Sequence, residues 1–170
     1  MNNKAILRYS LFYGSLAAIS CLIFFIALYF VNGNPLMFKR PDIGFNIIFI
    51  WFAIWNFRRH NGGTLHFYEG FSVGFLTNLI AALITGVSIY LFLVFVDIQP
   101  LTNWIASSKQ VLIDQKATFS IILDERNYQA QIDSLSNAKP YQVILDELMF
   151  KQFAIIAITL LTMILRRLEY

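Results

Sequence analysis

The residues best suited to chemistry lie in one short polar stretch, where His60, His66 and Glu69 follow Arg58 and Arg59. Imidazole and carboxylate groups transfer protons and bind metal ions near neutral pH. His66 and Glu69 are three residues apart, so a helix would place them side by side. The stretch lacks the paired histidines, four residues apart and accompanied by a carboxylate, of a membrane metalloprotease. We therefore expect a solvated interfacial turn and no catalytic, cofactor or metal site.

Two arginine pairs stand directly beside apolar runs, one before the histidines and one near the C-terminus. An arginine at the end of a membrane span reaches lipid phosphates while its aliphatic stem stays in the apolar layer. The candidate headgroup-binding residues are Arg58, Arg59, Arg166 and Arg167.

Polar side chains also occur within the long apolar runs, and the amides among them are Asn46, Asn56 and Asn78. Such groups either line the path of a solute or form hydrogen bonds between helices. We expect no Asp, Glu or His at the centre of a span, and a proton-coupled carrier usually has one. Hydrogen bonding between helices is therefore the favoured interpretation, and transport is the alternative.

Small residues recur every fourth position along the third apolar run, in the set Gly70, Gly74, Asn78, Ala82 and Gly86, which we call the small-residue stripe. Small side chains let two membrane helices approach closely, so that their van der Waals contacts are dense. Packing within the chain is the simplest use of such a stripe. Homodimerisation or the binding of another membrane protein is the alternative.

These residues belong to a chain that is far more apolar than a soluble domain. Of its 170 residues, 58% are hydrophobic and 14% are charged, and its mean hydropathy is +0.60. Soluble domains average about 45–50% apolar and about 25% charged residues. We therefore expect an all-α, polytopic membrane protein. The net charge of +3 is too small and too scattered for nucleic-acid binding.

Apolar runs and the breakers between them predict one membrane domain over residues 1–170, with four transmembrane helices at about 8–31, 41–59, 71–96 and 148–166. The first and third predicted spans are long enough to cross the bilayer without their flanking residues. The second and fourth need flanking residues to reach across the bilayer, and we expect Lys151 at the membrane boundary with its ammonium in water. The polar segment 97–147 is expected to be partly helical and extracytoplasmic.

Basic residues predict the orientation. One side of the membrane would hold both termini and the turn after the second span, and it has six Lys and Arg residues in about 28 residues. The other side has seven in about 67 residues, so its density of basic residues is lower. The denser side is cytoplasmic by the positive-inside rule. We therefore place both termini in the cytoplasm.

Several motifs resemble one bacterial family. Asn61-Gly62-Gly63 precedes the stretch Phe67–Gly74, FYEGFSVG, and the third predicted span closes at Asp97–Pro100, DIQP. With the length and the four-span layout, these features resemble the family called domain of unknown function 4199 over nearly the whole chain. The resemblance implies a small inner-membrane protein of Gram-negative bacteria. It implies no reaction, ligand or catalytic residue.

The favoured function is a non-enzymatic membrane component that contacts membrane lipids and packs with itself or with another membrane protein. The alternative is a small transporter or channel subunit. A membrane-embedded enzyme acting on lipid ranks third, because its chemistry would rest on His60, His66 or Glu69 alone.

Overall fold

The computed structural model describes residues 3–116 and 124–167, with backbone only at Asn32 and Arg167. Within these ranges every regular element is a helix, which confirms the predicted all-α class. In chain order the helices are α1 (Asn3–Asn32), α2 (Pro35–Phe38), α3 (Asp42–His60), α4 (Phe67–Phe95), α5 (Gln99–Asp114), α6 (Glu125–Ser136), α7 (Gln142–Lys151) and α8 (Ala154–Arg167).

Three helical stretches of the described chain are long and apolar enough to cross a membrane: Asn3–Val31, Phe67–Phe95 and Gln142–Arg166. The first contains the predicted span 8–31, and the second covers the predicted span 71–96 except for its last residue. The third joins α7 to α8 and begins six residues before the predicted start at 148. α3, which covers most of the predicted span 41–59, does not belong to this set because its apolar run is short and both its ends are charged.

α1 and α4 run parallel and form the most extensive helix pair of the fold. Near their first turns, the Ser10 hydroxyl donates to the carbonyl oxygen of Val73 at 3.1 Å. Near their last turns, the Tyr29 hydroxyl donates to Asp97 Oδ2 at 2.8 Å. The two helices therefore stay in register along their whole length.

α3 and the α7–α8 span run opposite to α4, and the small-residue stripe is where the last span packs. Cβ atoms built on Gly70, Gly74 and Gly86 would meet Thr162 Cγ2 at 2.7 Å, Ile158 Cγ2 at 2.7 Å and Ile144 Cα at 3.1 Å, respectively. Ala82 is fully buried on the same helix. The stripe is thus covered by the chain's own last span, at distances that leave no room for a side chain.

Local signals in the sequence explain where the helices begin and end. α1 ends before Gly33, whose φ of +64° suits only glycine, and the Gly62-Gly63 turn between α3 and α4 uses two more positive φ angles. In the first turn of α4, the Glu69 carboxylate accepts from the His66 N–H at 3.3 Å. α5 lies against the end of the bundle through buried Leu101.

The core is divided into two apolar clusters. One, which includes Ile54 and Ile158, fills the end of the bundle where α1 and α4 begin. The other, which includes Phe25 and Leu93, fills the end near α5. Buried polar residues separate the two clusters, and these residues form the candidate site.

Candidate functional site

Four charged side chains are buried together between the two apolar clusters. Lys39 lies between α2 and α3, Asp42 begins α3, and Glu147 and Lys151 lie one turn apart on α7. Their exposed fractions are 4%, 3%, 2% and 0%. We call these four residues the ionic network.

The network is a chain of ion pairs. Lys39 Nζ contacts Glu147 Oε1 directly. Lys151 Nζ lies 3.4 Å from Glu147 Oε2 and 3.7 Å from Asp42 Oδ2. The Lys151 ammonium also donates to Thr85 Oγ1 at 3.4 Å and to Cys21 Sγ at 3.5 Å. Lys151 therefore links α1, α3 and α4 to its own helix.

The four charges cancel, and this neutrality lets them stay buried. Removing an ion from water costs several kcal/mol in real proteins, and paired charges recover that cost only with good geometry. Two ammonium groups face two carboxylates here, so the formal sum is zero. Gain or loss of a single proton leaves one uncompensated charge in an apolar core.

The network lies close to the middle of the three candidate spans. Counting along each span, Cys21 is four residues past the central Ala17, Thr85 is four past the central Ala81, and Lys151 is three before the central Ala154. At 1.5 Å per residue these offsets are only about 4–6 Å, whereas the apolar layer of a bilayer is about 30 Å thick. All three offsets point toward the α5 end.

A break in the last span positions Lys151. The N–H of Ile155 donates to Gln152 O at 2.9 Å, which is a three-residue spacing, so the carbonyl of Lys151 has no helical partner there. Asn78 Nδ2 donates to that carbonyl at 3.0 Å. The polar residue of the small-residue stripe thus satisfies the backbone at the junction of α7 and α8.

A second buried side-chain amide, on α3, is hydrogen-bonded to Asn78. Asn46 Nδ2 donates to Asn78 Oδ1, and both side chains are fully buried. Asn46 Oδ1 accepts no hydrogen bond from the described residues, which is unusual for a buried acceptor. One acceptor beside the ionic network is therefore left unused.

α3 starts inside the bundle rather than at its end. Asp42 contacts Lys151 through its carboxylate, and its carbonyl lies 3.7 Å from Cys21 Sγ. The chain from Pro35 to Pro41 therefore descends from the end of α1 to the level of the network. Short-range bonds, such as Asp42 N–H to Lys39 O at 2.9 Å, satisfy this irregular backbone.

A cavity of about 190 Å³, which we call the α5 cavity, opens beside the network at the end of the bundle near α5. Its polar wall includes Lys39, Lys139 and Asp146, and its apolar wall includes Trp104 and Val143. Lys39 lines this cavity and also contacts Glu147, so it connects the cavity to the buried charges.

The opposite end of the bundle is closed. Ile50, Ile54, Phe57, Val73 and Ile158 are at most 1% exposed and pack as one apolar cluster. The network therefore has a polar cavity on one side and a packed apolar cluster on the other.

Two expectations about ionisable residues are wrong. Lys151 is fully buried beside Asp42 and Glu147, whereas the sequence predicted its ammonium in water at the membrane boundary. Acidic groups also lie near the middle of the bundle, where none was expected. The available signal was the i, i+4 spacing of Glu147 and Lys151 just before an apolar run, because that spacing puts both on one helix face.

The structure does not gather the polar stretch around the histidines into a catalytic site. The His60 ring lies 5.7 Å from the Tyr9 ring, and Glu69 caps α4. Within the described ranges no group of three or more His, Cys, Asp or Glu residues could hold a metal ion. The side-chain amide of Asn56 donates to Phe52 O on its own helix, at 2.9 Å.

The headgroup candidates differ from one another. Arg58 is 2% exposed, and its Nε donates to Gly63 O at 2.8 Å, so it stabilises the turn after α3. Arg59 and Arg166 are exposed at the same end of the bundle, where a lipid phosphate could reach them. The side chain of Arg167 lies outside the described part.

Comparison with known families agrees with the resemblance seen in the sequence. Residues 12–167 match the family described as Protein of unknown function (DUF4199). The chain belongs to this family. The match covers every residue of the ionic network and of the α5 cavity, so both lie within the family domain. No curated protein and no solved structure matches the chain.

Proposed function

We propose that this member of the family is a non-enzymatic, four-span protein of the bacterial inner membrane that moves protons together with a small polar solute. The ionic network is the observation that carries the proposal. Ionisable residues inside a membrane are costly and typically mark ion, proton or substrate pathways. Lys39, Asp42, Glu147 and Lys151 form such a group from three parts of the chain.

Access from one side supports transport. Lys39 borders a cavity at the α5 end, and the apolar cluster around Ile54 and Ile158 separates the network from the other end. Many transporters bind their substrates near the bilayer midplane, between broken helices, and open to one side at a time. The break between α7 and α8 and the buried start of α3 provide such helices.

In the proposed topology, α2, the following turn and α3 together make the second crossing. Both termini are cytoplasmic, because the basic residues Arg8, Arg59 and Arg166 lie at the end away from α5. α5 and α6 are then extracytoplasmic. Because four spans are few for a carrier, we expect a homo-oligomer as the working unit.

The test is proton flux into liposomes that contain the purified protein and a trapped pH-sensitive dye, driven by a pH gradient with the acidic side outside. We expect uptake that is faster than in protein-free liposomes and that is lost in Glu147→Gln. The matched control is Glu125→Gln, because Glu125 is exposed on α6 and pairs with Lys116 and Gln129 at the surface.

Two results would contradict the proposal. One is a wild-type rate equal to that of protein-free liposomes, with and without the carboxylate probe introduced below. The other is equal flux through the Glu147→Gln and Glu125→Gln proteins. Packing with another membrane protein would then remain the better explanation, on surfaces other than the small-residue stripe, which the last span covers.

A further inference from the structure

We infer that the α5 cavity binds a compact monocarboxylate with a short apolar body, and that the ligand's carboxylate displaces Glu147 from Lys39. This inference rests on the proposed function for its role in transport, but binding itself can be tested without flux. It follows from the size, the charge and the wall chemistry of the cavity.

Size limits the ligand. Drug-sized ligands occupy pockets of about 300–1,000 Å³. The α5 cavity has about 190 Å³, so it suits a molecule of only a few heavy atoms beyond its carboxylate. Larger solutes such as nucleotides or oligosaccharides do not fit.

Charge favours an anion. Two ammonium groups, those of Lys39 and Lys139, line the cavity, with one carboxylate, that of Asp146. Asp146 is already paired with Arg40, whose Nη2 lies 3.5 Å away. Among the described residues no carboxylate pairs with Lys139. The wall therefore carries unpaired positive charge at Lys139, which is exposed and would attract an anion toward the cavity.

The other wall favours an apolar body. Trp104, Leu101 and Val143 also line the cavity, and an aliphatic chain that packs against them is removed from water. A ligand with a charged head and a short branched tail matches both walls. A free inorganic anion would match only the lysine side.

Charge balance then links the ligand to a proton. Lys39 is the direct partner of Glu147 Oε1, so a ligand carboxylate on Lys39 leaves Glu147 with only Lys151. The buried group would gain one negative charge. It becomes neutral again when Glu147 takes one proton from water in the cavity, and the carboxylate and the proton are then held together.

Tryptophan fluorescence offers a local reporter. The chain has three tryptophans, of which Trp51 and Trp55 lie on α3 away from the cavity. A Trp51→Phe, Trp55→Phe protein keeps Trp104 as its only tryptophan. Its elution from a size-exclusion column and its melting temperature should match those of the wild type before any titration.

The probe is isovalerate, compared with the uncharged isovaleramide and the cationic isoamylamine. We expect a saturable change in Trp104 emission with isovalerate alone. Ala138→Leu reduces the cavity volume without removing a charged side chain and should abolish the change. Lys139→Gln should weaken affinity about two- to fivefold, as for an exposed charge pair. Lys109→Gln on α5, outside the cavity wall, is the matched control and should bind normally.

Several results would overturn the inference: no saturable change with isovalerate in a folded protein, equal binding of the amide, or full binding by Ala138→Leu. The two proposals fail separately. Glu147-dependent proton flux without isovalerate binding would refute the cavity ligand and keep the proposed function. Isovalerate binding without any proton flux would refute the proposed function and keep the cavity ligand.

Discussion

The side-chain amide of Asn78 on α4 donates to the main-chain carbonyl oxygen of Lys151 on α7, at 3.0 Å. The same lysine carries the ammonium that binds Glu147 and Asp42. One amide therefore holds the break in the last span, and through it the position of a buried charge. A small-residue stripe that looks purely structural in the sequence thus also positions the ionic network.

Replacing Asn78 with Leu should destabilise the bundle by about 1–3 kcal/mol, because it leaves the Lys151 carbonyl and the Asn46 amide buried without partners. The measurement is thermal unfolding in mild detergent. Asn56→Leu is the matched control, since Asn56 bonds only within α3. Equal melting temperatures for the two variants would show that the Asn78 bond contributes nothing.

Lys151→Met should cost about 3–5 kcal/mol, because it leaves two buried carboxylates with one cation. Adding Asp42→Asn restores neutrality, since the Lys39–Glu147 pair remains. We therefore expect the double variant to melt at a higher temperature than Lys151→Met alone. A double variant that melts lower would contradict the charge-balance argument. Glu125→Gln should leave the melting temperature unchanged.

Gly74→Ala should destabilise the bundle by about 1–3 kcal/mol, because the new methyl group would lie 2.7 Å from Ile158 Cγ2 and force the last span away. Gly44→Ala is the contrasting variant. Apart from its chain neighbours and the nearby backbone of its own helix, no atom of the described residues lies within 4 Å of the new methyl group, and alanine favours the helix by at most about 1 kcal/mol. The prediction fails if both variants melt like the wild type in detergent.

Cysteine labelling in intact cells tests the topology. In a Cys21→Ala background, an impermeant maleimide should label Ser108→Cys, on α5, and not Thr64→Cys, in the turn after α3. Thr64→Cys should react after the membrane is permeabilised, which controls for its reactivity. Labelling of Thr64→Cys alone in intact cells would invert the orientation.

The long helices were predictable because their signal is local. Runs without charge before Val31 and Phe95 can only be buried or face lipid, so α1 and α4 follow from length. The every-fourth spacing of Gly70, Gly74 and Gly86 likewise predicts a close helix contact. The helix that packs against the stripe could not be predicted, because small residues do not specify their partner.

The ionic network was not predictable because its contacts are distant in sequence. Lys39 and Glu147 are separated by 108 positions, and no periodicity relates them. Lys151 was placed at the boundary because the fully apolar run begins after it. Only the folded chain shows that α7 continues the span through Lys151 and that α3 begins at the same level.

The position of Glu147 inside the last span, seven residues before the central Ala154, has an electrical consequence. Moving one elementary charge across a whole membrane changes its energy by about 2.3 kcal/mol per 100 mV. A proton that reaches the network through the α5 cavity crosses only part of the field. In the proposed orientation the cavity faces the positive side of an energised bacterial membrane. The membrane voltage would therefore favour the network that has gained a proton. Without that voltage, the network whose four charges cancel would be favoured.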